Sequence, residues 1–128
     1  MIFLDSDVMI DLFREYPTAM EWFDTIEAEE TMALSGFVVM ELIQGCKNKT
    51  QLQKLQRNLA VFETVWLESG DSERALELFA RHYLSHNAGL IDVLIGMTAV
   101  SLGVPLYTFN EKHYQFIPGL KTIQPYER

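Results

Sequence analysis

Met1-Ile2-Phe3-Leu4-Asp5-Ser6-Asp7-Val8-Met9-Ile10-Asp11-Leu12-Phe13 carries three apolar residues straight into two carboxylates with no turn residue between them. A continuous apolar run of this kind suits a strand covered on both faces, as in a parallel sheet. The carboxyl ends of such strands are where open α/β sheets bind ligands. Asp5 and Asp7 alternate sides, and Val8 to Phe13 has the spacing of a short helix. The first strand is therefore expected to end in a cleft that carries negative charge. The plainer reading is that one of the two acids, Asp7 more readily than Asp5, only caps the helix, because Asp is a favoured N-cap residue.

The 128 residues, 48% apolar and rich in aromatics, fit a single domain spanning residues 1 to 128 with a core of its own. The one cysteine, Cys46, excludes an intrachain disulfide and agrees with a reducing cytoplasmic setting. Asp5 and Asp7 interrupt what would otherwise resemble a leader, so secretion is not expected. Ala88 to Tyr107 is apolar enough to suggest a membrane span, but Gly103 followed by Pro105 is a helix stop. That leaves a helix over Leu90 to Leu102, shorter than the ~20 residues that cross a bilayer.

A net charge of −8 argues against broad, nonspecific grip on nucleic acid. Its distribution qualifies this. Residues 1 to 30 hold nine of the eighteen acids and only Arg14 among the bases, whereas Lys47, Lys49, Lys54 and Arg57 fall together. The alternative for that basic segment is an ordinary solvated helix face.

Along the chain, strands and helices alternate. Pro17 opens a second helix, Thr31 to Leu34 reads as a strand ending at Ser35-Gly36, and Phe37 to Cys46 reads as a helix capped by Ser35. Gln51 to Leu59 is amphipathic, Val61 to Trp66 suits a strand, and a helix is expected from Asp71. It ends near His82 and His86, whose i, i+4 spacing is a weak metal signal without the metalloprotease glutamate. Leu106 to Phe109 and Thr122 to Gln124 are the last two strands. Such alternation implies an α/β fold with a mostly parallel sheet, so that the polar strand exits share one edge. Asp5, Glu41 and Asp92 would converge there, with Asn110 near the fourth exit. Glu41 follows an apolar face and is costly to bury unpaired, and Asp92 opens a helix that must itself be buried. Converging carboxylates repel one another. A divalent cation relieves that, and oxygen-only ligands favour Mg²⁺ or Mn²⁺.

Leu4-Asp5-Ser6-Asp7-Val8-Met9-Ile10, Val39-Met40-Glu41-Leu42-Ile43-Gln44-Gly45, Ile91-Asp92-Val93-Leu94-Ile95-Gly96-Met97-Thr98-Ala99 and Thr108-Phe109-Asn110-Glu111-Lys112-His113-Tyr114, with Ile117-Pro118-Gly119-Leu120 after it, resemble in that order the PIN-domain family and its VapC-type toxin branch. The resemblance covers essentially the whole chain. It implies a central parallel sheet flanked by helices and a Mg²⁺- or Mn²⁺-dependent endoribonuclease of a type II toxin–antitoxin pair. Asp5, Glu41 and Asp92 take the acidic catalytic and metal positions. Asp7 stands where the family most often has Asn, and Asn110 where many members carry a fourth acid. Ser6, Ser35 and Thr108 look like supporting or substrate-facing hydroxyls. The substrate is expected to be single-stranded or looped RNA, with Lys47, Lys49, Lys54, Arg57, Lys112 and His113 as phosphate contacts. A cognate antitoxin and a second copy of the chain are the expected protein partners, with no membrane. Two rivals remain: a haloacid-dehalogenase-like phosphatase with Asp5 as nucleophile and Asp7 as general acid, and an RNA- or protein-binding module with a weakened site.

Overall fold

The computed structural model describes all 128 residues. Five strands, β1 (Ile2–Leu4), β2 (Met32–Ser35), β3 (Glu63–Val65), β4 (Leu106–Tyr107) and β5 (Thr122–Ile123), form one sheet in the order β3-β2-β1-β4-β5. Every pairing is parallel, with Phe3 opposite Ala33 on one side and Leu106 on the other. The central position of β1 explains its unbroken apolar run. Phe3 and Leu4 are fully buried, as are Leu34 and Leu106 beside them.

Seven helices cover the sheet: α1 (Ser6–Phe13), α2 (Pro17–Glu27), α3 (Gly36–Gln44), α4 (Lys49–Leu59), α5 (Ser69–His86), α6 (Leu90–Leu102) and α7 (Glu111–Tyr114). The chain first builds outward from β1 through β2 to β3, then returns through α5 and α6 to place β4 on the other side of β1. The strand order therefore reverses between β1 and β4. Such a switch point leaves a crevice at the strands' carboxyl ends. Asp5 follows β1 and Thr108 follows β4, so both enter that crevice.

The α6 helix has the expected bounds, closed by Gly103 in the left-handed conformation at φ +66°. Its Val93, Ile95 and Ala99 are fully buried, and no helix of the protein is long and apolar enough to cross a membrane. Gly96 lets the last segment approach closely: a Cβ there would meet Ile117 Cδ1 at 2.5 Å and Tyr114 Cδ1 at 3.5 Å. Several boundaries differ from the pattern in the sequence. The α5 helix begins two residues before Asp71, with Gly70 inside its first turn. β3 is confined to Glu63–Val65, since it is an edge strand and Val61 is 83% exposed. β4 stops at Tyr107 because Thr108 is drawn into a turn, its hydroxyl accepting from the Asn110 backbone N–H at 3.0 Å.

Candidate active site

Asp5 continues the β1 ladder, its N–H donating to Tyr107 O at 3.0 Å, and then becomes the N-cap of α1. The capping reading holds for Asp5 rather than for Asp7. Its Oδ1 accepts from Ser6 N at 2.8 Å, while Oδ2 accepts from Thr108 Oγ1 and from Tyr114 Oη, each at 2.8 Å. An ionised carboxylate offers about four acceptor directions. Three are occupied, and the fourth belongs to Oδ1. Asp5 is only 3% exposed, so these donors hold it in one orientation.

Glu41 and Asp92 approach from α3 and α6. Ser6 Oγ donates to Glu41 Oε1 at 3.1 Å, tying the start of α1 to the middle of α3. Asp92 lies in the first turn of α6, with Tyr114 Oη 3.5 Å from its Oδ1 and His113 Nδ1 3.5 Å from its Oδ2. Burial raises the pKa of Glu41, and the charges of Asp5 and then Asp92 and Asp7 add to this against the Ser6 hydrogen bond. Burial and the charge of Asp5 likewise raise Asp92, opposed by His113 and Tyr114. Tyr114 thus spans Asp5 and Asp92, and Ser6 links the start of α1 to Glu41, which places the three acids around one crevice.

Asp7 does something else. Its Oδ1 accepts from Val8 N at 2.8 Å, and its Oδ2 accepts from Phe109 N at 2.9 Å and Asn110 Nδ2 at 3.1 Å. Asp7 thus fastens the turn after β4 to the start of α1, and Asn110 is its partner rather than a free ligand. Burial, with the Asp5 charge second, pushes its pKa up to about 6. Ser35, fully buried, caps α3 by accepting from Phe37 N at 3.2 Å.

Tyr114 had no signal of its own in the sequence. It occupies a buried position on a short helix, where a phenol reads simply as a large apolar residue. Burial, then the charges of Asp5 and Asp92, drive its pKa far above the usual tyrosine value. It remains a proton donor to Asp5.

The cations divide among separate places. Lys112 and His113 line a cavity of ≈ 350 Å³ that also includes Asp92 and Phe116. Lys47 and Lys54 line a different groove, joined there by Arg14. Arg57 lines a separate shallow hollow, and Lys49 is exposed. His82 and His86 stand with their Nδ1 atoms 3.1 Å apart on an exposed face, with no third ligand beside them. No Lys or Arg side chain pairs with the carboxylate of Asp5 or Asp7, which leaves the phosphatase reading without the basic partner it wants.

The donor set suits a hard cation. Asp5, Glu41 and Asp92 offer oxygen only, repel one another, and are not drawn together closely enough to enclose an ion directly. Mg²⁺ keeps several of its waters and takes only one or two carboxylates directly, so such spacing fits it better than it fits a zinc cage.

The family model for the PIN domain matches residues 2–116. Ribonuclease VapC19 of Mycobacterium tuberculosis is 30% identical over 125 residues, covering 94% of this chain and 98% of that protein. Ribonuclease VapC1 of Methanocaldococcus jannaschii is 29% identical over 127 residues, covering 94% and 85%. Among solved structures, a toxin–antitoxin complex from Klebsiella pneumoniae contains a chain with a TM-score of 0.77 and 28% identity, matched over 100% of both chains.

Proposed function

The chain belongs to the PIN-domain family, and from that premise we propose that it is a VapC-type endoribonuclease, the toxin of a toxin–antitoxin pair. It hydrolyses phosphodiester bonds of single-stranded or looped RNA with Mg²⁺ or Mn²⁺ as the assisting ion. The observation that carries this reading is the crevice between β1 and β4, where Tyr114 Oη spans Asp5 and Asp92 and Ser6 Oγ donates to Glu41, so that carboxylates from three separate elements are held around one hollow.

Asp5, through the free direction on Oδ1, would hold the ion together with Asp92 and Glu41, with the ion's own waters bridging to those carboxylates that do not reach it directly. Bound there, a divalent ion lowers the pKa of a water and offsets charge developing on the phosphoryl oxygens. The protein's own work is positioning. Thr108 and Tyr114 fix Asp5, Ser6 orients Glu41, and such partners of ligating carboxylates commonly matter almost as much as the ligands. Lys112 and His113 stand on the cavity beside Asp92, where a substrate phosphate can meet positive charge.

The relatives named as VapC ribonucleases and the Klebsiella toxin–antitoxin complex support an antitoxin partner as well as the RNA substrate. A basic antitoxin side chain reaching Asp5 and Asp92 would meet the negative charge of the crevice in a chain of net charge −8. Incubating the protein with total RNA, with and without EDTA, tests the chemistry. Cleavage that EDTA leaves untouched, or none in either condition, would sink it.

A further inference from the structure

The groove that unites Arg14, Lys47 and Lys54 has a volume of ≈ 450 Å³ and no acidic residue in its lining. That is unexpected in a chain with eighteen acids and ten Lys and Arg. None of these three cations takes part in an ion pair; the pairs the protein makes are Met1 with Glu30, Arg74 with Asp71, His113 with Asp92 and Arg128 with Asp11. Gln51 adds a further donor. Its Oε1 is engaged by Lys47 N at 2.9 Å, which leaves its amide N–H groups for another acceptor. Three unpaired cations and an amide around one hollow describe a site short of an anion.

The groove also has a fixed relation to the acids. Ser6 meets Glu41 at 3.1 Å, and one turn further along the same two helices stand Ile10 and Gly45, both of which line the groove. Gly45 N donates to Glu41 O at 3.2 Å, closing that turn. The hollow thus begins about 5.4 Å beyond the Ser6–Glu41 contact, one helical pitch, and Arg14 lies one turn further. An RNA strand crossing the acidic crevice is repelled there by every phosphate except the one facing a metal. Its grip has to come from cations placed outside the crevice.

We propose that the Arg14–Lys47–Lys54 groove binds up to three backbone phosphates of the RNA strand flanking the scissile bond. This rests on the endoribonuclease reading and assigns that site its strand path. Lys49 and Arg57, neighbours of these lysines in sequence, have no share in the groove.

The test is fluorescence anisotropy of a short fluorescein-labelled oligouridylate, in EDTA so that nothing is cut, over a series of salt concentrations. The variant carries Arg14→Gln, Lys47→Gln and Lys54→Gln, all exposed positions. Each lost phosphate contact lowers the slope of log affinity against log salt by roughly 0.7 for single strands, so the triple variant should lose up to about 2. A charge-matched control with Arg74→Gln, Arg81→Gln and Lys121→Gln, outside the groove, should keep the wild-type slope. If the triple variant does not fold, Lys54→Gln alone should lose roughly 0.7. An unchanged slope in the groove variant overturns the proposal. So does a groove that captures oligoglutamate while its loss leaves RNA binding intact, which would mark it as a seat for an acidic protein segment. Wild-type protein that shows the groove-dependent slope but cleaves no RNA with Mg²⁺ or Mn²⁺ would instead sink the nuclease reading and leave the groove standing.

Discussion

The Tyr114 hydroxyl donates to Asp5 Oδ2 at 2.8 Å while lying 3.5 Å from Asp92 Oδ1, so one buried phenol spans two carboxylates that repel each other. It has a single proton and gives it to Asp5. Its role toward Asp92 is therefore electrostatic, and it fixes the separation of the two acids without joining either to the backbone.

Tyr114→Phe keeps the ring and removes that donor. Stability should fall by about 1 kcal/mol, the scale of one hydrogen bond whose acceptor keeps another partner in Thr108. Mn²⁺ affinity, measured by calorimetry, should drop roughly 10- to 100-fold, as is usual when a ligand loses its orienting partner. An unchanged affinity would show that Tyr114 only fills space.

Asp5→Asn and Asp92→Asn should each abolish cleavage, but their effects on stability should part. Asp92 has an elevated pKa and no backbone donor on its carboxylate, so its amide should leave the melting temperature unchanged or raise it. Active sites often trade stability for function in this way. Asp5 receives three donors on two oxygens, and an amide has one oxygen to offer; Asp5→Asn should cost about 1–2 kcal/mol. Thermal melts and a cleavage assay on the two variants check both statements, and full activity in either would remove that residue from the site.

Asp7, Glu41 and Asp92 all have folded-state pKa values raised above their ordinary ones, Asp7 to about 6. Between the unfolded value and the folded one, the native state holds more protons than the unfolded chain. Stability is then fully present below the unfolded value and is lost as pH rises through the folded value, here up to about 6. In EDTA the protein should melt higher at about pH 5 than at about pH 7.5. Millimolar Mg²⁺ should raise the melting temperature more at the higher pH. A metal-free protein that melts highest at the higher pH would contradict the sign.

Asn110→Asp would set a second carboxylate against Asp7 Oδ2, where Asn110 Nδ2 now donates at 3.1 Å. At an effective dielectric of ~20 such a pair repels by about 4 kcal/mol gross, and exposure of residue 110 should reduce this to about 1 kcal/mol of lost stability near neutral pH. The loss should largely vanish at about pH 5, where the pair can share a proton. If Asn110→Asp instead tightens Mg²⁺ binding with no loss of stability, Asp7 and Asn110 belong to the metal site and not to the turn.

Local signals carried a large part of this protein. The apolar Ile2–Leu4 run, the Ser35 cap, and the stop at Gly103 and Pro105 each act within a few residues, so the alternating elements and the parallel sheet were legible. That Asp5, Glu41 and Asp92 would meet around one crevice was legible too, because a carboxylate inside an apolar run is costly wherever the chain goes. Tertiary structure decided what each group does there. That Asp7 fastens a turn depended on Phe109 and Asn110, 102 and 103 residues away. Tyr114 became the donor to Asp5 only because α7 packs on Gly96 of α6. Of the four clustered cations, only Lys47 and Lys54 share a groove with Arg14, since the packing of α1, α3 and α4 determines which side chains meet. Strand and helix periodicity specify which face of an element is apolar; the direction of an individual hydrogen bond or charge is settled only when that face meets another.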